Sequence, residues 1–246
     1  MLSPALAIAF LSLSSPVASG PVAQDLPRVM IDAGHGALHN PGETSSCQLE
    51  QEFTKQTQDA VLALLQDAGG LALKAGRPTA SLVAYGDRLQ AMNAWHADAV
   101  ISIHSDARAA DGWTHDEHQD CWHSRGGTGF AVLFSDEGDA ALVSKRKALA
   151  TALAHEMIEA GFSAYDGVDY PGLYALVSDG VFVDRHPDRQ RIMMLRSSRV
   201  PLVIVETHQA LDDAEAARWR DPAAQRAFAT AIQRAVLALH PSPTTR

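Results

Sequence analysis

A single α/β domain, with a mainly parallel β-sheet flanked by helices on both faces, is the fold class this sequence predicts. Three observations predict it. Runs dense in β-branched residues at 28–32, 99–104 and 201–206 read as buried strands. Segments with apolar residues at helical spacing alternate with them, the pattern of a parallel sheet covered on both faces. No internal repeat, low-complexity tract or linker breaks the 246-residue chain, which is long enough for one well-buried core and a small insertion.

The chain opens with an uncharged stretch, residues 1–23, whose apolar part at 5–13 is too short to span a bilayer but suits the core of an export signal. Pro16, Gly20 and Pro21 separate it from the first strand, and Pro-Val-Ala at 16–18 or 21–23 offers small residues for cleavage. We therefore expect a signal at 1–23, removed on export to a periplasm or the extracellular space, and one domain at 24–246. The first strand, 28–32, runs into Gly34-His35-Gly36, and 34–47 reads as a loop rich in Gly, Asn, Pro and Ser. Residues 50–68 read as a helix, with Phe53, Thr57, Val61, Leu64 and Leu65 at helical spacing and Gly69-Gly70 ending it. A short strand at 71–75 and a helix at 85–95 follow. The strand at 99–104 ends in His104. Residues 105–127 read as a polar, His-rich loop, 129–134 as a strand and 140–160 as a long helix. Residues 161–189 read as irregular, and 190–195 as a short helix. The last strand, 201–206, ends in Glu206, and helices at 214–219 and 223–239 close the chain.

A net charge of −9 argues against a nucleic-acid partner, which needs basic surface to neutralise phosphates, and against docking on anionic lipid. No other segment is long and apolar enough to cross a membrane. Cys47 and Cys121 are the only cysteines, and both fall in stretches that read as loops. After export they can pair.

Three strand-like runs thus end at His35, His104 and Glu206, and the carboxyl ends of parallel strands share one edge, where open α/β sheets keep their sites. Glu50 opens the first helix, where a carboxylate suits the helix dipole. A lone histidine at a strand end is more often structural than a ligand, and a lone Glu at a helix start is more often a cap. Their joint placement is what raises a metal site. Two imidazoles and one carboxylate are the ligand set of many catalytic zinc sites, with water in the open position. Glu206 follows a buried-looking run, where a carboxylate is costly without a partner.

These residues resemble the zinc-dependent N-acetylmuramoyl-L-alanine amidases of the family-3 type. The resemblance rests on Ile31-Asp-Ala-Gly-His-Gly36, Glu50 at the helix start, Ile101-Ser-Ile-His104-Ser-Asp106 and Val203-Ile-Val-Glu206-Thr207, and runs from about Arg28 to about Trp219. Lesser matches are Gly76-Arg77, Asp87-Arg88 to Asn93, and Met194-Leu195-Arg196. It implies one Zn²⁺ held by His35, Glu50 and His104 at the carboxyl ends of the strands, with Glu206 as general base. It implies hydrolysis of the amide between the lactyl group of N-acetylmuramic acid and L-alanine in peptidoglycan. Arg77, Asn93 and His208 are candidate substrate contacts. Glu52 and the more distant Glu43 compete with Glu50 as ligand, and the family's helix register favours Glu50. The chain departs from the pattern at Ala37-Leu38, where a second glycine is usual, and at His208-Gln209, where Gly-Phe is common.

Rival readings are a zinc peptidase or deacylase acting on another amide, and a wall-binding module without activity. A monomer is expected, with no membrane contact after export and with any protein regulator unidentified. We expect Cys47 and Cys121 to form a disulfide bracing the rim. The run His115-x-x-His118-x-x-Cys121-x-His123 is read as a solvated loop rather than a second metal site. Trp113, Trp122, Tyr165, Tyr170 and Tyr174 are candidate stacking surfaces for sugar or peptide. Residues 161–189 are the candidate targeting surface.

Overall fold

Period-two alternation along the apolar strands sets the layers of the fold. Val29, Ile31, Ile101, Ile103, Val203 and Val205 turn to one face, and Met30, Val100, Leu202 and Ile204 to the other. A computed structural model describes residues 25–241, apart from 43, 46, 80 and 109–111. The expected export signal and Glu43 lie outside the described residues.

In chain order the elements are β1 (Arg28–Ala33), β2 (Thr44–Ser45), β3 (Gln48–Leu49), α1 (Glu50–Ala68), β4 (Ala72–Ala75), α2 (Tyr85–Ala94), β5 (Ala99–Asp106), β6 (Thr114–Asp116), β7 (Cys121–His123), β8 (Ala131–Phe134), α3 (Ala140–Glu159), β9 (Tyr174–Ser178), β10 (Val181–Asp184), α4 (Met193–Ser197), β11 (Leu202–Gln209), α5 (Asp213–Arg220) and α6 (Pro222–Leu239). Seven strands form the main sheet in the order β4-β1-β5-β11-β8-β10-β9. The first four are mutually parallel, β8 runs antiparallel to β11, β10 is parallel to β8, and β9 is antiparallel to β10. The mainly parallel sheet expected from the sequence is therefore present, with β8 and β10 reversed beyond β11 and β9 back in the common direction.

One face packs on α1, α3 and α6 through Phe53, Val61, Leu153, Phe228 and Ile232. The other packs on α2 and α4 through Met92, Met194 and Leu195. Arg146 of α3 is buried and donates to the carbonyls of Ser135, Glu137 and Ser198, which seats α3 against the loops beside β8 and β11.

The structure corrects three sequence readings. Residues 161–189 are not irregular throughout, because β9 and β10 form a hairpin in the main sheet. Its turn is Asp179-Gly180, with Gly180 at φ 68°, a two-residue sequence that favours hairpin turns. The loop at 105–127 holds a second hairpin, β6–β7. His104 and Glu206 are not strand termini either: β5 and β11 run on to Asp106 and Gln209. Their extra length carries polar residues, so apolar content alone stopped too early.

The expected Cys47–Cys121 disulfide is present, with the Cα atoms 5.4 Å apart and 74 residues of separation. It ties the segment ahead of α1 to β7. A closed loop of that size is expected to stabilise the fold by about 4 kcal/mol through the unfolded chain's lost entropy. Urea unfolding in a metal chelator, oxidised against reduced, measures this, and unchanged midpoints would refute it.

Candidate metal centre

The backbone after β1 is held in an unusual shape by buried side chains. His35 has φ 55° and Gly36 φ 64°, in the left-handed region that a non-glycine residue adopts only under constraint. The carbonyls of Ala33 and His35 both accept from Arg88, and that of Gly34 accepts from Thr54 Oγ1 at 2.7 Å and Arg77 Nη1 at 3.2 Å. The amide of Ala33 donates to Gln58 Oε1 at 3.1 Å, and that of Gly34 to the Ile103 carbonyl at 2.8 Å. Every polar backbone group of the turn that these bonds reach is fixed from α1, α2 or β5. A Cβ at Gly34 would overlap the His104 ring. A Cβ at Gly42 would sit 2.7 Å from Glu50 Cβ and 2.8 Å from His35 Cδ2. Both glycines are required by close approach.

Held this way, His35 Nδ1 lies 2.9 Å from Asn40 Oδ1, and Asn40 Nδ2 donates to Tyr85 Oη at 2.9 Å. The amide thus leaves Nε2 free to face inward. His35 Nε2 is 3.0 Å from Glu50 Oε2, and His104 Nδ1 is 3.3 Å from Glu50 Oε1. Ser105 N also donates to Glu50 Oε1 at 2.9 Å. Ligand atoms of His35, Glu50 and His104 all lie within 4.8 Å of one another. Burial pushes the Glu50 carboxyl up, but the bonds and charges of His104 and His35 outweigh it and hold it down to about 2. Burial lowers His35, while Glu50 and Asn40 raise it further than that. An anionic carboxylate between two imidazoles is a donor set that fits a divalent cation.

Glu206 stands across from His104 on the neighbouring strand. Its Oε2 is buried and has no hydrogen-bond partner among the described residues. Burial, then the charges of Asp106 and Glu50, push its carboxyl well above the usual range against the pull of Arg108. Glu50 and Glu206 therefore carry opposite proton habits in one site, the separation expected of a ligand and a proton-transfer group.

Sequence reasoning missed the support around Glu206. Arg108 is buried, its Nε 3.0 Å from Asp106 Oδ2, and its guanidinium lies 4.1 Å from the Tyr165 ring centroid. Tyr170 Oη donates to Asp106 Oδ2 at 2.7 Å. These residues come from β5, the loop after it and the segment before β9, so no local pattern announces them. Tyr165 and Tyr170 are buried in this network and offer no stacking surface, whereas Trp122 is exposed on β7.

The three candidate substrate contacts lie in different surroundings. Arg77 is buried and supports Gly34 and Gln51 from below. Asn93 accepts from the Arg199 amide ahead of β11, beside the starts of the strands and away from the cluster. His208 is fully buried between Phe53 and Trp219. The register shifts after Glu206, and such an irregularity turns the next side chains to the other face. Ala37 does not need a glycine's conformation, because its φ is not positive; the turn takes its positive φ at His39 instead. Glu52 is exposed on α1, outside the cluster.

The sequence model of a family described as N-acetylmuramoyl-L-alanine amidase matches residues 29–238. A sporulation-specific N-acetylmuramoyl-L-alanine amidase of Bacillus subtilis (strain 168) is 31% identical over 113 residues, 45% of this chain and 37% of that protein. The chain thus matches little more than a third of that relative's length. The N-acetylmuramoyl-L-alanine amidase of Clostridium difficile 630 superposes with a TM-score of 0.65 at 18% identity, covering 89% of this chain and all of that one. The amidase Ami1 of Mycobacterium smegmatis gives a TM-score of 0.65 at 21% identity, over 86% of this chain and 95% of that one. These two likenesses are of fold.

Two measurements check the site's supports. Arg88→Met leaves Asp32 buried without its cation and is expected to cost about 3–5 kcal/mol in urea unfolding, with metal affinity lost alongside. Adding Asp32→Asn should recover part of that stability. The second concerns His208, which burial and then the charges of Arg108 and Arg220 lower to about 3. The unfolded imidazole takes a proton near pH 6.5 and the folded one does not, so stability present above pH 6.5 is lost as pH falls toward 3. From pH 7 to pH 5 this group alone should cost about 2 kcal/mol. His208→Gln should lose that much less stability than the wild type over the same interval.

Proposed function

The chain belongs to the N-acetylmuramoyl-L-alanine amidase family, and from that premise we propose that it hydrolyses the amide joining N-acetylmuramic acid to L-alanine in peptidoglycan, releasing stem peptides. The observation that carries this reading is the convergence of His35 Nε2, Glu50 and His104 Nδ1 beside the unpartnered Glu206 Oε2. Export through a cleaved signal at 1–23 and action in a periplasm or outside the cell belong to the same proposal, since that is where the wall lies.

In this reading His35, Glu50 and His104 hold one zinc ion. Zinc at such a site supplies a Lewis acid that makes hydroxide available near neutral pH and polarises the substrate carbonyl. Glu206 takes a proton from the attacking water at Oε2. Burial and the neighbouring carboxylates that raise Glu206 also suit it to return that proton to the departing alanine nitrogen. Asp106 and Arg108 fix the charge that Glu206 meets. Asn40 and Tyr85 keep His35 in the required orientation.

Incubation with purified sacculi tests the activity. Release of peptides with free N-terminal alanine is expected; other new ends would point to a different amide, and no release to a binding module. His35→Ala should lose zinc and turnover together. Glu206→Gln should keep zinc while kcat falls on the order of 10²–10⁴-fold. Full turnover by that variant would remove Glu206 from the chemistry.

A further inference from the structure

Among the described residues a second group of ligand atoms converges: Cys47, Cys121 and His123. The solvated loop expected at 115–123 describes His115 and His118, which are exposed, but not His123. His123 Nε2 lies 3.6 Å from Cys47 Sγ and 3.5 Å from Cys121 Sγ. A tetrahedral ion bonded to sulfur at about 2.3 Å and to nitrogen at about 2.1 Å holds N and S about 3.6 Å apart. The imidazole already stands at that spacing from both sulfurs.

On its other side, His123 Nδ1 lies 3.0 Å from Asp213 Oδ2, close enough for an ion pair though not in line for a hydrogen bond. A carboxylate behind the ring is the usual support of a metal-ligating histidine. His123 and Asp213 also line, with His115 and Asp116, a groove of about 820 Å³ beside the group.

In the disulfide the two sulfurs offer no thiolate. We propose that this group is a redox-gated second metal site: a disulfide when oxidised, and a binding site for a Zn²⁺-class cation when reduced. The reductant is a dithiol. It passes two electrons and two protons to the Cys47–Cys121 bond, which breaks into two thiols, and it closes into its own disulfide. The cation then displaces both thiol protons to solvent. Two thiolates neutralise its charge, neutral His123 is the third ligand, and water completes the tetrahedron. Two sulfurs and an imidazole select Zn²⁺ or Cd²⁺ over Mg²⁺ or Ca²⁺. Since Cys47 lies three positions before Glu50 (50 − 47), the cation keeps that segment tied to β7 after reduction. The proposal does not depend on the amidase reading.

The test loads the first site of the full chain with Zn²⁺, reduces the protein with dithiothreitol, removes the reductant anaerobically, and titrates with Cd²⁺. Reduced protein is expected to bind one metal equivalent more than oxidised protein and to gain a near-ultraviolet thiolate-to-metal charge-transfer band. His123→Ala keeps both cysteines and should bind that extra equivalent at least tenfold more weakly. Cys47→Ser with Cys121→Ser should lose the band and retain the first equivalent. Equal metal content in both redox states, a band and affinity indifferent to His123→Ala, or loss of native circular dichroism on reduction would each overturn the proposal.

Discussion

A fully buried guanidinium, that of Arg88, is the constraint on which the site depends. Removing such a cation from water is costly unless it is paired and hydrogen-bonded. Arg88 uses all of its nitrogens: on Asp32, on the Ala33 and His35 carbonyls, and twice on the Val83 carbonyl. Asp32 in turn accepts from Ser102 of the neighbouring strand at 2.8 Å, and burial still holds its carboxyl above the usual range. One charge pair therefore locks α2, the end of β1 and β5 together. Its result at the surface is the left-handed backbone of His35, which aims the imidazole at Glu50.

Around that anchor the two glutamates acquire different characters from different neighbours. Glu50 lies between imidazoles and under a backbone amide, and stays anionic. Glu206 meets burial and then carboxylates, which push its carboxyl upward. Their chemical identity is the same, so the division of labour comes wholly from placement. Arg108 moderates it: its charge opposes the rise of Glu206, while Asp106 accepts from its Nε and Gly127 and Gly129 accept from its Nη1.

The rim is built by longer-range ties. The disulfide joins the segment before α1 to the β6–β7 hairpin, and Asp213 at the start of α5 reaches the same hairpin through His123. Gln209 at the end of β11 accepts from Arg108 N and donates to the Arg108 and Gly126 carbonyls, which closes the loop beneath.

The sequence by itself determined the α/β class, the parallel strands β1, β4, β5 and β11, the helix at Glu50–Ala68 and the candidate set His35, Glu50, His104 and Glu206. Apolar alternation and helical spacing are local, and a strand end or a helix start can be read from a few neighbours. It did not reveal β9 and β10, because the segment around them is rich in Pro, Gly, Tyr and Asp, although Tyr174-Ala-Leu-Val and Val181-Phe-Val flank the Asp179-Gly180 turn. Only the tertiary structure decided that Arg77 and His208 are buried supports and that Asn93 sits at the far edge of the sheet. It alone brought Arg88 to Asp32, 56 positions away, and His123 to the sulfur of Cys47, 76 positions away. Burial and pairing at such separations depend on how the layers pack, and no window along the chain contains both partners.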